Sequence, residues 1–191
     1  LCATHPQLRI DLLVSNDIVP LAQRTADIAL RVTSKPAESL RGRQVGTVAM
    51  AVYASHQLLP ADKSAVPDAP WVGFDASLAC SGPGVWLAEH VSESAVRFRA
   101  NTLLAAAQAV KSGLGFGVLP CFVGQSLEGV DQVGAPIPEL SQALWLLMHA
   151  DAATMPRVRA ASAALAAEIK RASVLLAGCD SRERATTVQL A

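Results

Sequence analysis

The sequence predicts an α/β fold of two lobes joined by two crossover strands, and two observations predict it. Short apolar runs alternate with stretches of helical periodicity along the whole chain, which is typical of parallel strands covered by helices on both faces. Two longer apolar runs, 45–55 and 143–150, bracket the middle of the chain. A chain that leaves one lobe along the first run and returns along the second would form a hinged pair of lobes. Such sheets bind ligands at the carboxyl ends of their strands, so we expect a cleft there.

The elements follow from periodicity and from turn residues. The predicted strands are 8–15, 27–32, 45–55, 71–75, 95–100, 116–119, 131–137 and 143–150. The predicted helices are 16–26, 81–90 (helical from about Gly84), 101–112, 122–129 and 155–177. The first lobe then holds 1–45 and 150–175, the second lobe holds 56–142, the hinge strands are 46–55 and 143–149, and a polar tail covers 178–191.

Capping residues set the helix limits. Asn16 or Asp17 can cap the first helix, and Pro20 is tolerated only within a first turn. Asn101 is predicted to be the N-cap of the helix that follows it. Pro156 fits the first turn of the long closing helix.

The glycine-rich run "NTLLAAAQAVKSGLGFGVLP", 101–120, raises the question of a nucleotide-binding loop. A dinucleotide fingerprint requires a strand, then the glycines, then a helix, whereas here the helix comes first. Gly113 lies where a helix C-cap glycine belongs, and Val118 occupies the place of the third glycine. The glycines are therefore interpreted as the end of a helix and the start of a strand.

Composition excludes several classes of protein. The 191 residues are 51% hydrophobic and 17% charged, with a formal net charge of +0, so no clustered basic surface for nucleic acid is indicated. The four cysteines, Cys2, Cys80, Cys121 and Cys179, form no C-x-x-C pair and no zinc-ligand spacing. They are interpreted as reduced thiols of a cytoplasmic protein. No signal peptide and no membrane-spanning run are visible, so we expect no membrane contact. The spacing of the cysteines and the order of elements around the glycine-rich run lead us to expect no metal and no cofactor.

Three segments in order resemble the effector-binding domain of LysR-type transcriptional regulators. They are "HPQLRIDLLVSNDIVPLAQRTADIALRVTSKPAESLRGRQVGTVAMAVYAS", the glycine-rich run, and "MPRVRAASAALAAEI". The similarity extends from residue 5 to about 170. It implies an α/β fold of two Rossmann-like lobes joined by two crossover strands, type 2 periplasmic-binding-protein-like.

The resemblance also implies a function. The chain would bind a small-molecule effector between the lobes and modulate DNA binding by an N-terminal winged helix-turn-helix, which is absent here. Homodimers would form through the helix at 17–25 and a helix of the second lobe. In the family a strand and most of a helix precede the His-Pro pair at His5, so the first lobe is expected to be incomplete at its N-terminus.

Six polar residues and one aromatic residue, at or near strand ends, are the candidate effector contacts. They are Ser15, Asn16, Arg31, Thr33, Phe74, Asn101 and Thr102. The helix N-terminus at Asn101 and Thr102 favours an anionic effector. Five of the candidates have a structural alternative: Ser15, Asn16 and Asn101 as helix caps, Arg31 as a side chain that extends to solvent, and Phe74 as a core aromatic.

Enzymatic activity has little support. The four histidines are scattered, no G-x-S-x-G elbow exists, and no pair of carboxylates falls at matching strand ends. A solute-binding protein of a transport system remains the alternative with the same fold, and a small enzyme on this fold is the other.

Overall fold

The computed structural model describes residues 2–3, 5–16, 26–59 and 69–178. The strands are β1 (Ala29–Val32), β2 (Arg41–Val48), β3 (Met50–Ser55), β4 (Trp71–Phe74), β5 (Val96–Ala100), β6 (Gly117–Pro120), β7 (Val130–Val133) and β8 (Gln142–Met148). The helices are α1 (Gly82–His90), α2 (Leu103–Lys111), α3 (Cys121–Gly124), α4 (Pro156–Arg171) and α5 (Ser173–Leu176). Residues 17–25 of the helix predicted over 16–26, and residues 179–191 of the predicted tail, lie outside the described residues.

The chain divides into two compact units. Unit 1 comprises 1–47 and 142–173, and unit 2 comprises 48–141 and 174–191. The chain thus passes between the units at three points, the last of them within α5. The lobe limits and hinge strands inferred from the sequence stay predictions.

Unit 1 contains a three-stranded sheet of order β1-β8-β2. β1 pairs antiparallel with β8, with Arg31 opposite Trp145. Gly42 of β2 lies so close to β8 that a Cβ there would be 2.7 Å from the carbonyl oxygen of Leu146. Only glycine therefore fits at this point of contact between the two strands.

The strand predicted over 8–15 is wrong, because the structure has no regular secondary structure there. Every residue from 9 to 15 is exposed, and Leu12 and Val14 each retain 83% of their accessible surface. A strand needs a neighbour that pairs with its backbone N–H and C=O groups. Among the described residues no strand pairs with this segment.

Unit 2 contains the sheet β6-β3-β7 and the parallel pair β4-β5. The two are linked by a parallel bridge between Trp71 and Phe116. Every residue of β3 is buried, and Tyr53 at its centre is 1% exposed. β3 runs antiparallel to both β6 and β7.

Two expectations about the long apolar runs are corrected. The sequence predicts parallel sheets, yet β3 is antiparallel to β6 and β7, and β8 is antiparallel to β1. The run 45–55 is also two strands that meet at Ala49. The Ala49 N–H donates to the Leu176 carbonyl at 2.8 Å, and its own carbonyl accepts from the Cys121 N–H at 2.9 Å. Because the Ala49 N–H and carbonyl bond to helix residues, the ladder of hydrogen bonds between strands is interrupted at this residue.

The glycine-rich run has the structure that its residue order predicts. Gly113 has a φ of 76° and ends α2, with its N–H donating to the Val110 carbonyl. A Cβ on Gly117 would lie 2.6 Å from Val110, so the glycine permits α2 to pack directly on β6. The interpretation as helix end and strand start is confirmed.

The closing helix is shorter than predicted. α4 ends at Arg171, and Ala172 has φ −84° and ψ 6° before α5 begins. The apolar spacing continues through 173–176, so periodicity alone could not locate this break. Lys170 and Arg171 lie in the last turn of α4, where their positive charges interact favourably with the negative end of the helix dipole.

Candidate functional site

The carboxyl ends of the parallel strands β4 and β5 bring a group of polar residues together in unit 2. The Asp75 N–H donates to the Ala100 carbonyl at 3.1 Å, which extends the pairing of the two strands by one residue. Asp75 Oδ1 then accepts from the Ser77 N–H at 2.9 Å and from the Ser77 hydroxyl at 2.6 Å. The same hydroxyl lies 3.4 Å from the Asn101 carbonyl oxygen. Ser77 therefore connects the loop after β4 to the loop after β5.

The first turn of α2 begins directly after this group. Thr102 is the N-cap, with extended φ −142° and ψ 152°, and its hydroxyl accepts from the Ala105 N–H at 3.1 Å. The prediction that Asn101 is the cap is therefore wrong by one residue. Asn101 is exposed, and Thr102 is half-buried. The hydroxyl of Thr102 keeps its own hydrogen available to donate to a ligand.

Phe74 precedes Asp75 and points inward. It is 8% exposed and belongs to the buried hydrophobic cluster of unit 2. The burial favours the core interpretation of this residue, and a contact with an effector stays a prediction.

The candidates in unit 1 lie in two places. Ser15 and Asn16 are exposed at the end of the non-regular segment 8–15. Arg31 lies within β1, and Thr33 follows the strand, where its N–H donates to the Ala143 carbonyl at 3.1 Å. The Thr33 hydroxyl accepts from the Lys35 N–H at 3.2 Å, so it forms a local turn.

Sequence reasoning missed the role of Ser77. Asp75 was recognisable as the residue after a strand, but Ser77 two positions later was not singled out. An Asp-x-Ser sequence after a strand is a frequent local hydrogen-bonding turn, and this was the available signal.

Within the described ranges no group of three or more His, Cys, Asp or Glu side chains could hold a metal ion. His56 and Asp131 form an exposed pair with 3.3 Å between Nε2 and Oδ1. His90 stacks on Trp86 with ring centroids 4.4 Å apart. In the described part of the chain no helix is long and apolar enough to span a membrane.

Comparison with known proteins identifies solved structures that share this fold. The regulatory domain of CrgA, a LysR-type transcriptional regulator from Neisseria meningitidis, superposes with a TM-score of 0.68 at 21% identity, over 88% of this chain and 87% of that domain. The AmpR effector binding domain from Citrobacter freundii gives a TM-score of 0.68 at 14% identity, over 89% and 88%. The longer CrgA structure is matched over 60% of its length. No curated protein sequence matches significantly.

The architecture is therefore that of ligand-binding domains of the type 2 periplasmic-binding-protein-like fold. The family model for the LysR substrate binding domain matches residues 1–170. The chain belongs to this family, and its role is that of the effector-binding domain of a LysR-type transcriptional regulator. The alternative of a transport binding protein is not favoured, and the related regulatory domains belong to transcription regulators and not to enzymes.

Proposed function

We propose that a small anionic effector binds at the carboxyl ends of β4 and β5, against the N-terminus of α2. The observation that supports this proposal is the arrangement of Thr102, Asn101 and Ser77 around that helix end. The first N–H groups of a helix have no intrahelical acceptor, and the helix dipole adds a partial positive charge there. A carboxylate would accept from these N–H groups and from the Thr102 hydroxyl.

Fixed geometry adds to the case for this location. Asp75 and Ser77 hold the loop that leads to α1, and the Ser77 hydroxyl approaches the Asn101 carbonyl. The donors of α2 are therefore positioned before a ligand arrives. A site whose donors are already ordered loses less conformational entropy on binding.

The residues of unit 1 are proposed as separate contacts. Ser15, Asn16, Arg31 and Thr33 carry hydroxyl, amide and guanidinium groups that suit an anionic effector. Substitution of Arg31 by Gln tests the guanidinium alone. Weaker effector binding with an unchanged melting temperature of the free protein would assign it to the ligand.

In the complete regulator, effector binding would shift the protein between two conformations. The size of that shift is limited by the difference in affinity of the effector for the two states. We propose that the protein acts in the cytoplasm as a homodimer whose N-terminal winged helix-turn-helix domains bind DNA. Size-exclusion chromatography with light scattering, with and without effector, measures the oligomeric state directly.

The test of the proposed site is a thermal-shift screen against small carboxylates and aromatic acids. A ligand present at 100 times its Kd stabilises the folded state by about 2.7 kcal/mol, which raises the Tm of a domain of this size by roughly 5–10 °C. Thr102→Ala should lose most of that shift, and Thr102→Ser should retain it. Thr154→Ala removes another exposed hydroxyl, which donates to the Asp151 carbonyl at 2.7 Å, and serves as the control. An effector that shifts Thr102→Ala as strongly as the unmodified protein would place binding elsewhere.

A further inference from the structure

The first residue of α3, Cys121, lies against the turn that follows α5. A Cβ placed on Gly178 would be 2.8 Å from Cys121 Sγ and 3.3 Å from Cys121 Cβ, so a larger residue would force the thiol to shift. Gly178 has a φ of 72°, which glycine adopts without strain. The next residue in the sequence is Cys179, which lies outside the described residues. The sequence therefore provides a second thiol one residue beyond the contact with the first.

Hydrogen bonds fix this turn relative to α3. The Ala49 N–H donates to the Leu176 carbonyl at 2.8 Å, and the Ala49 carbonyl accepts from the Cys121 N–H at 2.9 Å. Ala49 thus connects the two segments directly. The Gly178 N–H donates to the Leu175 carbonyl at 3.2 Å, which closes the turn. The point from which the next residue extends is therefore set by contacts of the described residues.

The distances suit a disulfide bond between Cys121 and Cys179. Disulfide-linked cysteines have Cβ atoms about 3.8 Å apart and Cα atoms about 4.4–6.8 Å apart. The Cβ position of Gly178 is already 3.3 Å from the Cys121 Cβ. The Cα of Cys179 is about 3.8 Å from that of Gly178, because consecutive Cα atoms have this separation. A thiol that starts one residue further along the chain is within reach of Cys121 Sγ.

We propose that Cys121 and Cys179 form a reversible disulfide when the protein meets hydrogen peroxide. Cys121 is fully buried, so the peroxide reacts first with Cys179. The Cys179 thiolate attacks one peroxide oxygen, the O–O bond breaks, and a sulfenic acid and one water are formed. The Cys121 sulfur then attacks the Cys179 sulfur, and the sulfenic hydroxyl leaves with the Cys121 proton as a second water. Two electrons pass from the two thiols to the peroxide.

The disulfide would constrain the end of unit 2. It closes a loop from residue 121 to residue 179 that contains β7, β8 and α4, and it ties the turn at 174–178 to α3. Such a crosslink reduces the conformational freedom of the unfolded chain, so the oxidised protein gains stability. In a reducing compartment a disulfide of this kind is transient and responds to oxidants. This modification site is separate from the effector site proposed at α2.

The experiment oxidises the full chain with one equivalent of hydrogen peroxide and maps its peptides by mass spectrometry without reduction. We expect a linked pair of peptides that contains Cys121 and Cys179 and separates on treatment with dithiothreitol. The Tm of the oxidised protein should rise by about 5 °C or more. Cys179→Ser should abolish the link and the rise in Tm. Cys80→Ser, which removes an exposed thiol, serves as the control and should change neither.

A relocated thiol tests whether the contact at Gly178 matters. Cys179→Ser combined with Thr187→Cys moves the second thiol eight residues towards the C-terminus. The link to Cys121 should then form roughly tenfold more slowly, because the effective concentration of the thiol falls as the connecting chain lengthens. Cys121 itself is not substituted in any of these variants, so a folding defect at this buried position cannot obscure the result.

Three results would overturn the proposal. They are the absence of the linked peptide pair, a disulfide from Cys121 or Cys179 to Cys2 or Cys80 in its place, and equal rates of link formation for the parent and the relocated thiol. An oxidised parent whose Tm equals that of oxidised Cys179→Ser would contradict the constraint on 174–178.

Discussion

Substitution of Gly124 by alanine should destabilise unit 2 strongly, because the Tyr53 ring lies directly against this glycine. A Cβ at position 124 would lie 2.4–2.5 Å from three ring atoms of Tyr53. Real Cβ contacts are never that short, so the ring must move. Tyr53 is 1% exposed, so its movement would displace other core residues.

The magnitude follows from three contributions. Overpacking of a well-filled core costs about 1–3 kcal/mol, and the upper end applies where backbone and ring are both confined. Displacement of the ring also disturbs the hydrogen bond of 3.1 Å from the Tyr53 hydroxyl to Gln132 Oε1, which is worth ~1 kcal/mol. Alanine recovers ~1 kcal/mol of helix propensity at most. The net loss is about 2–3 kcal/mol, or a Tm lower by roughly 5–10 °C.

Tryptophan fluorescence during thermal unfolding provides the assay. Trp71 and Trp86 lie in unit 2 and Trp145 lies in unit 1, so a Trp145→Phe background restricts the signal to unit 2. In a Tyr53→Leu background the ring is gone, and Gly124→Ala should cost little or nothing. A Tm within about 2 °C of the parent, or the same cost in both backgrounds, would refute the reasoning.

Three further predictions concern the surface and the thiols. Thr102→Ala should lower the free energy of unfolding by ~1 kcal/mol, because the α2 cap is lost. Thr102→Ser keeps the hydroxyl and should leave the free energy of unfolding unchanged. Urea unfolding measures both values. The Arg99 guanidinium donates a hydrogen bond to Glu93 and thereby lowers the pKa of that carboxyl. The pair therefore contributes to stability above the unfolded-state pKa of Glu93. This contribution is lost as the pH falls through the lower folded-state pKa. In Arg99→Gln, NMR titration should return the pKa of Glu93 to its ordinary value, whereas an unchanged pKa would contradict the assigned cause. A thiol reagent should modify Cys80, which is exposed, much faster than Cys121, which is fully buried, as peptide mass mapping can show; equal rates would contradict the burial.

The sequence was most informative where local chemistry determines the backbone. Gly113 and Gly117 were assigned correctly because a helix end and a close strand contact each demand glycine. The strands at 71–75 and 95–100 were placed within a residue or two, since apolar runs bounded by turn residues have few alternatives.

Long-range partners decided the features that the sequence missed. The segment 8–15 has strand-forming residues, but strand structure depends on a neighbour that no local pattern reveals. The break at Ala49 depends on Leu176 and Cys121, which are distant in sequence. The predicted cap, Asn101, and the observed cap, Thr102, are adjacent residues. Both residue types cap helices well, so the sequence alone did not distinguish them.

The sequence named two residues of the candidate site, and its location stays a prediction, but the connections within it were not predicted. The strand-end rule identified Asn101 and Thr102, because it depends on the order of elements alone. The Ser77 hydroxyl was invisible because its contact with Asn101 joins residues 24 positions apart. Phe74 was identified from the sequence, but its role was not. An aromatic residue at a strand end can either belong to the hydrophobic core or line a ligand-binding site.

The bond between Ala49 and Leu176 has a practical consequence for dividing the protein into parts. Residues 48–141 form a continuous stretch of unit 2, yet that piece alone would lack the buried Leu176 and would leave the Ala49 N–H without its acceptor. A minimal unit 2 therefore requires residues 174–178 to be joined back to it, for example through a short glycine-serine linker after Ser141. Fusion partners at the C-terminus should likewise be attached well beyond Gly178, because this last turn is an internal part of the unit.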